Sequence, residues 1–189
     1  MTRPLRKDAA ERRIALLDAA ASAFAEYGFD VPLDVIAERA GVGRATLYRN
    51  FADRGELAAA VFAAQLDDLD ARTRERGDDP HVFFWFVDEL AVLLKQNAGL
   101  DAALREAHAP EALTPMRERL VEAGRAPLAR AQTAGLVRAD LTTQDIRAIA
   151  MILGAGASRP DPAEREAFGI RIRALLLDGL RVRPPEATA

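Results

Sequence analysis

Cysteine is absent from the 189-residue sequence, histidine occurs twice, tryptophan once, and aromatics make up only 6%. Without cysteine there is no disulfide, no thiolate nucleophile and no cysteine-ligated zinc, which suits a reducing compartment. His81 and His108 stand far apart with no ligand spacing around them, so no metal site is expected. No apolar run reaches the ~18 residues that a membrane span needs. The N-terminal MTRPLRKDAAERR is basic and polar without an apolar core, unlike a secretory signal. Enzyme signatures are missing too: no HExxH, no G-x-S-x-G and no phosphate-cradling glycine loop. These absences lead us to expect a cytoplasmic protein with no catalytic residues, no metal, no cofactor and no membrane partner.

Charge of one sign is lacking as well. With 26 basic and 29 acidic residues the net charge is -3, so bulk electrostatics does not make the molecule a polyanion binder. Any nucleic-acid argument must come from how charge is distributed.

What is present is the helical period. No stretch shows sustained alternation with β-branched enrichment, so the fold class is all-α. A first helix is expected from about Asp8 to Tyr27, with Ile14, Leu17, Ala21, Phe24 and Ala25 on its inner face and Gly28 as its cap. A short helix follows Pro32, with Leu33, Ile36, Ala37 and Ala40 inward, and a third covers roughly Arg44 to Asn50. A fourth starts near Asp53, buries Leu57, Val61, Phe62, Leu66 and Leu69, and stops before Gly77-Asp78-Asp79-Pro80. Beyond it, HVFFWFVDELAVLLKQN is apolar on nearly all sides and calls for a central position. Further helices are expected around 99–107, at 113–134 with a bend near Gly124 and Pro127, at 143–157 and at 163–181.

One stretch, AERAGVGRATLYRNF from Ala37 to Phe51, carries chemistry. A helix breaks at Gly41-Val42-Gly43 and restarts at once, the spacing of a helix-turn-helix, whose turn needs glycine for a positive φ. Leu47 faces back onto Ile36 and Ala37, which leaves Arg44, Ala45, Thr46, Tyr48, Arg49 and Asn50 outward. Arginine grips guanine or phosphate, Ala45 and the Thr46 methyl suit a thymine methyl, and Tyr48 and Asn50 can donate to phosphate. Between Arg39 and Arg54 four arginines stand against one acid, Asp53, in a chain that is negative overall. Arg3, Arg6 and Lys7 could reach the backbone or an adjacent minor groove. A short polar helix with a few arginines is often only a solvated face. The glycine turn, the inward leucine and the charge cluster together favour DNA.

At these residues the sequence resembles the TetR-like (TetR/AcrR) family of bacterial transcriptional regulators. The family's pattern stands here as Ile36-Ala37, Ala40-Gly41-Val42, Thr46-Leu47-Tyr48, Phe51 and ADRGEL, with Ala19-Ala20 and Phe24 to Gly28 upstream. The resemblance is specific over about residues 12–62. Gly43 replaces a frequent serine, the residues near Pro32 lack a usual threonine, Asn50 replaces a common histidine, and Arg54 keeps the charge of a frequent lysine. The resemblance implies a three-helix DNA-binding domain at 1–54, a connector helix at 53–76, and a helical ligand-binding and dimerisation domain over 55–189. It further implies a repressor that binds a palindromic double-stranded operator as a homodimer, with Arg44, Ala45, Thr46, Tyr48, Arg49, Asn50 and Arg54 at the DNA, and that a small effector releases.

In the C-terminal part, Ile146, Ile149, Ala150, Leu153 and Ala157 form one stripe, and Phe168, Ile172, Leu175, Leu176 and Leu180 another. Two such stripes exceed the needs of one small core and suit a four-helix interface between two copies. The aromatic run Phe83 to Phe86 could line a pocket for an apolar or aromatic effector, with His81, Trp85, Arg105, His108 and Arg119 as contacts. Core packing explains the same run. The alternative function is a helical adaptor that binds protein partners through its apolar stripes and keeps a degenerate DNA motif.

Overall fold

A computed structural model describes residues 3–97, 113–157 and 161–182, and helices are the only extended elements among them. They run α1 Arg3–Tyr27, α2 Leu33–Arg39, α3 Arg44–Asn50, α4 Arg54–Glu75, α5 Val82–Gln96, α6 Leu113–Thr133, α7 Asp145–Ala157 and α8 Pro162–Leu180. The expected helix around 99–107 lies outside the described residues, as do Arg105, His108 and the Pro184-Pro185 ending. No helix among the described residues is long and apolar enough to cross a membrane. Two compact units form: Met1–Gln65 with Gln96–Thr114, and Leu66–Lys95 with Pro115–Ala189. The division falls inside α4, downstream of the residue-54 boundary that the sequence suggests.

In the first unit α1 and α2 pack together, with α3 against α2. The inner face of α1 is Leu16, Ala19, Ala20, Ala23 and Phe24, which shares only Phe24 with the expected stripe. Ile14 is 58% exposed, Ala25 is exposed, and Leu17 and Ala21 are half-buried. The buried face is turned about the axis so that Leu16 and Phe24 flank the alanines Ala19, Ala20 and Ala23, along which a neighbouring helix can approach closely. Gly28 ends α1 as expected, its N–H closing on the Phe24 carbonyl at 3.0 Å.

Helix α4 opens with a reciprocal cap: Asp53 Oδ1 accepts from the Glu56 N–H at 2.8 Å, and Glu56 Oε2 accepts from the Ala52 N–H at 2.6 Å. All five expected core residues of α4 are buried.

In the second unit α5 buries Val82, Phe83, Phe86, Val87, Leu90 and Leu93, while Val92 is 51% exposed. Gly124 of α6 sits where a methyl would meet Ile146 Cδ1 at 2.8 Å and Phe86 Cε1 at 3.0 Å. Its missing side chain is what lets α6 close on α5 and α7. The helix runs continuously through Pro127. Ion pairs lace the rim: Arg173 meets Asp88 through two bonds of 2.6 Å, Arg72 meets Glu89 at 2.7 Å, and Lys95 meets Glu166. The turn before α7 is tied down by Gln132 Nε2, which donates to the Leu141 carbonyl at 2.9 Å, and by the Arg138 N–H donating to the Leu180 carbonyl at 3.0 Å.

Candidate nucleic-acid interface

The exit from α2 is built by the backbone. The Gly41 N–H donates to the Glu38 carbonyl and the Val42 N–H to the Ala37 carbonyl, both at 3.0 Å, with Gly41 at φ +65. This paired closure around a left-handed residue is the Schellman arrangement, and it turns the chain sharply. Gly43 then enters α3 in extended conformation, its carbonyl accepting from the Thr46 N–H at 2.8 Å. No side chain caps the start of α3. Leu47 is 1% exposed and Phe51 1% exposed. These two anchors fix which side of α3 is out.

Arg44, Ala45, Tyr48 and Arg49 are exposed, and Thr46 and Asn50 are half-buried. Arg49 Nη2 donates to Thr46 Oγ1 at 2.9 Å. Asn50 Nδ2 is turned back onto its own helix, donating to the Thr46 carbonyl at 2.8 Å. Arg44 Nη1 donates to Asp34 Oδ2 at 3.1 Å, and its guanidinium carbon lies 5.6 Å from the Tyr48 ring centre. With side-chain exposures of 67% and 59%, that ion pair contributes only ~0–1 kcal/mol to stability.

Arg54, expected at the DNA, is engaged within the protein. Its half-buried Nη1 donates to the Phe29 carbonyl at 2.6 Å and to the Val31 carbonyl, beside the Phe29 ring. Phe29 in turn stacks on Phe24 at 5.5 Å. The guanidinium is spent on fastening the α1–α2 loop through these two backbone carbonyls. Arg39 is also occupied, paired with Glu26 at 2.8 Å. The Tyr27 hydroxyl and then the Arg39 guanidinium hold the Glu26 carboxyl below its ordinary range.

Three contributors have no local signal in the sequence. Arg13 of α1 lies over the Phe51 ring at 4.5 Å and donates to the Asn50 carbonyl at 3.4 Å, closing the end of α3. Asp34 and Glu26 reach the arginines only because the α2–α3 and α1–α2 packing brings distant positions together.

Of the expected effector contacts, His81, Trp85 and Arg119 lie among the described residues. His81 is exposed at the start of α5. Trp85 is half-buried under Arg76, whose guanidinium lies 3.8 Å from its ring centre. Arg119 pairs with Asp67 at 3.3 Å. A small cleft in the second unit is lined by Asp70, Thr73, Arg74, Glu122, Arg125 and Arg130. No group of acidic and histidine side chains among the described residues could hold a metal ion. Of the expected interface residues, Ile146, Ile149 and Leu153 are buried within the chain itself, Ala150, Ile172 and Leu176 are half-buried, and Leu175 is 55% exposed. The large apolar side chains turned outward on α7 are Met151 and Ile152.

An all-helical chain with a buried Leu47, a left-handed glycine turn and a polar outward helix is a protein of the DNA-binding helix-turn-helix class. The pattern described as bacterial regulatory proteins, tetR family, matches residues 16–61, and that of the SbtR-like transcriptional regulator C-terminal domain matches residues 78–182. The chain belongs to the TetR family of bacterial regulatory proteins, and is a DNA-binding transcriptional regulator and not an enzyme. It is 32% identical over 131 residues to an HTH-type transcriptional regulator of Mycobacterium tuberculosis, covering 65% of this chain and 68% of that one. Among solved structures it is similar to a TetR transcription regulatory protein from Mycobacterium vanbaalenii, at 32% identity and a TM-score of 0.64 over 95% of this chain and 100% of that one. A TetR transcriptional regulator from Streptomyces coelicolor aligns at 29% identity with a TM-score of 0.69, over 91% of this chain and 99% of that one.

Proposed function

We propose that this regulator is a ligand-responsive repressor that binds a palindromic operator as a homodimer. The observation that carries the reading is the outward face of α3, held out by the buried Leu47. Arg44 and Arg49 supply donors for a guanine edge or a phosphate, Ala45 and the Thr46 methyl meet thymine methyls, and the Tyr48 hydroxyl meets a phosphate oxygen. Asn50 contributes what its amide has left after bonding to Thr46. Arg54 supports the face from behind instead of joining it.

A seven-residue helix reads only a few base pairs. Two copies, one helical turn or more apart, are needed to read an operator. We assign the pairing to α7 and α8. Met151 at 75%, Ile152 at 44% and Leu175 at 55% exposure are apolar surface that a second copy would cover, with Ala150, Ile172 and Leu176 beside them. Ile146, Ile149 and Leu153 then back that surface from within. The effector is a small molecule, and α5 is read as its aromatic wall. With Phe83 and Phe86 committed to the core, Phe84 and Trp85 remain for a planar, apolar ligand, each beneath an arginine. Helix α4 is continuous from the first unit into the second and is the element that a two-state change would move. A coupling of ~1–3 kcal/mol would change operator affinity roughly 5–150-fold.

The test is selection from random duplexes with the purified protein, followed by anisotropy titrations with and without small aromatic compounds. An inverted repeat, salt-sensitive binding and loss of affinity with one compound are expected. Binding that ignores sequence, or none at low salt, would leave the adaptor function standing.

A further inference from the structure

The α3 face explains Arg44 but leaves Asp34 unexplained. A carboxylate on a surface turned toward a polyanion opposes association, and Asp34 sits in the first turn of α2 with its side chain 59% exposed. It is aimed at Arg44, whose Nη1 donates to it at 3.1 Å, while the Tyr48 ring centre lies 5.6 Å from the carbon of the same guanidinium. Engaging Nη1 leaves the Nε and Nη2 N–H groups, which point the same way along the side-on edge. That edge matches O6 and N7 of guanine. An arginine without such neighbours is free to swing to the nearest phosphate, where it adds affinity but reads nothing. A carboxylate beside it makes that position repulsive for phosphate.

We infer that Asp34 is a specificity-determining positioning residue: it holds Arg44 with its two-donor edge ready for one guanine and opposes its use on the backbone. The inference rests on α3 entering the major groove, as proposed above. Asp34 itself touches no base in this arrangement.

The experiment compares wild type, Asp34→Ala, Arg44→Ala and the double variant on the selected operator, on its single-base variants and on a random duplex, across salt. Arg44→Ala should erase discrimination at one base pair, about 5–150-fold for a bidentate guanine contact. Asp34→Ala should relax preference at that same base pair, bind the random duplex several-fold tighter, and steepen the salt dependence by about one phosphate contact. The double variant should discriminate no worse than Arg44→Ala alone. Helicity and melting temperature should stay near wild type, since the pair is exposed. Undiminished discrimination in Asp34→Ala would overturn the inference, as would a loss at a different base pair, which would make Asp34 a reader in its own right. A wild type that selects no duplex would instead remove the groove reading and this inference together.

Discussion

Gly41 and Gly43 flank Val42 and have equal room, since nothing lies within 4 Å of a Cβ built on either. Substituting them should nevertheless move stability in opposite directions. At Gly41, φ is +65, where an L-residue costs roughly 1–2 kcal/mol. Alanine there also restricts the unfolded chain, which returns ~0.4–1 kcal/mol, so Gly41→Ala should lose about 1 kcal/mol net. Gly43 sits at φ -71 and ψ 149, a conformation open to any residue, and occupies the N-cap of α3. Gly43→Ser gains the same unfolded-state contribution plus a few tenths for serine over glycine as a cap, about 1 kcal/mol in all. For a chain of this length each kcal/mol shifts the melting temperature by roughly 2–4 °C, so the two variants should bracket wild type with about 4–8 °C between them. Circular dichroism melts measure this directly. A Gly41→Ala variant that melts at or above wild type would mean that the chain does not leave α2 through a left-handed residue. The angle assigned to α3, and with it the outward face, would then be wrong.

Arg49→Ala should weaken operator binding while helicity and melting temperature stay put; a well-folded variant with normal affinity would remove Arg49 from the contact set. Arg54→Ala should instead lose roughly 1.5–3 kcal/mol of stability, the worth of charge-assisted bonds to the Phe29 and Val31 carbonyls. An unchanged urea midpoint with weaker DNA binding would return Arg54 to the DNA surface. Gly124→Ala places a methyl 2.8 Å from Ile146 Cδ1 and 3.0 Å from Phe86 Cε1. Overpacking of ~1–3 kcal/mol should outweigh the ~1 kcal/mol that alanine gains in a helix. Adding Ile146→Val, which removes Cδ1, should recover part of the loss, and additive losses would refute the assigned contact.

The α2–turn–α3 stretch was readable because its determinants are local. A left-handed exit needs glycine, a helix restarting after an extended residue needs one inward anchor, and both lie within a few residues of each other in the chain. The same holds for the core of α4, where large aliphatic residues recur at helical spacing with nothing to compete. In α1 the period alone misled. Its alanines are compatible with several rotations about the axis, and the choice among them was made by how closely α2 approaches, a quantity absent from the local pattern. The aromatic run of α5 illustrates a second kind of ambiguity: Phe83 and Phe86 went to the core and Trp85 to Arg76, although core residue and pocket wall look identical in one dimension.

Counting charge along the chain failed for a related reason. Residues 39–54 carry four arginines against Asp53, but folding adds Glu26 and Asp34 as well as Arg13 to the same surface, leaving five positive charges against three negative ones. The attraction to DNA therefore depends less on net charge than on which guanidinium lacks an acidic neighbour. Arg39 has Glu26, Arg44 has Asp34, and Arg54 is half-buried against carbonyls; Arg49 alone of the four bonds only to a hydroxyl, that of Thr46. Removing Arg49 should consequently take more from the salt-dependent part of binding than removing Arg39 or Arg54, although each deletes one charge. Equal salt slopes for the three variants would show that ion pairing within the protein does not screen these arginines from phosphate.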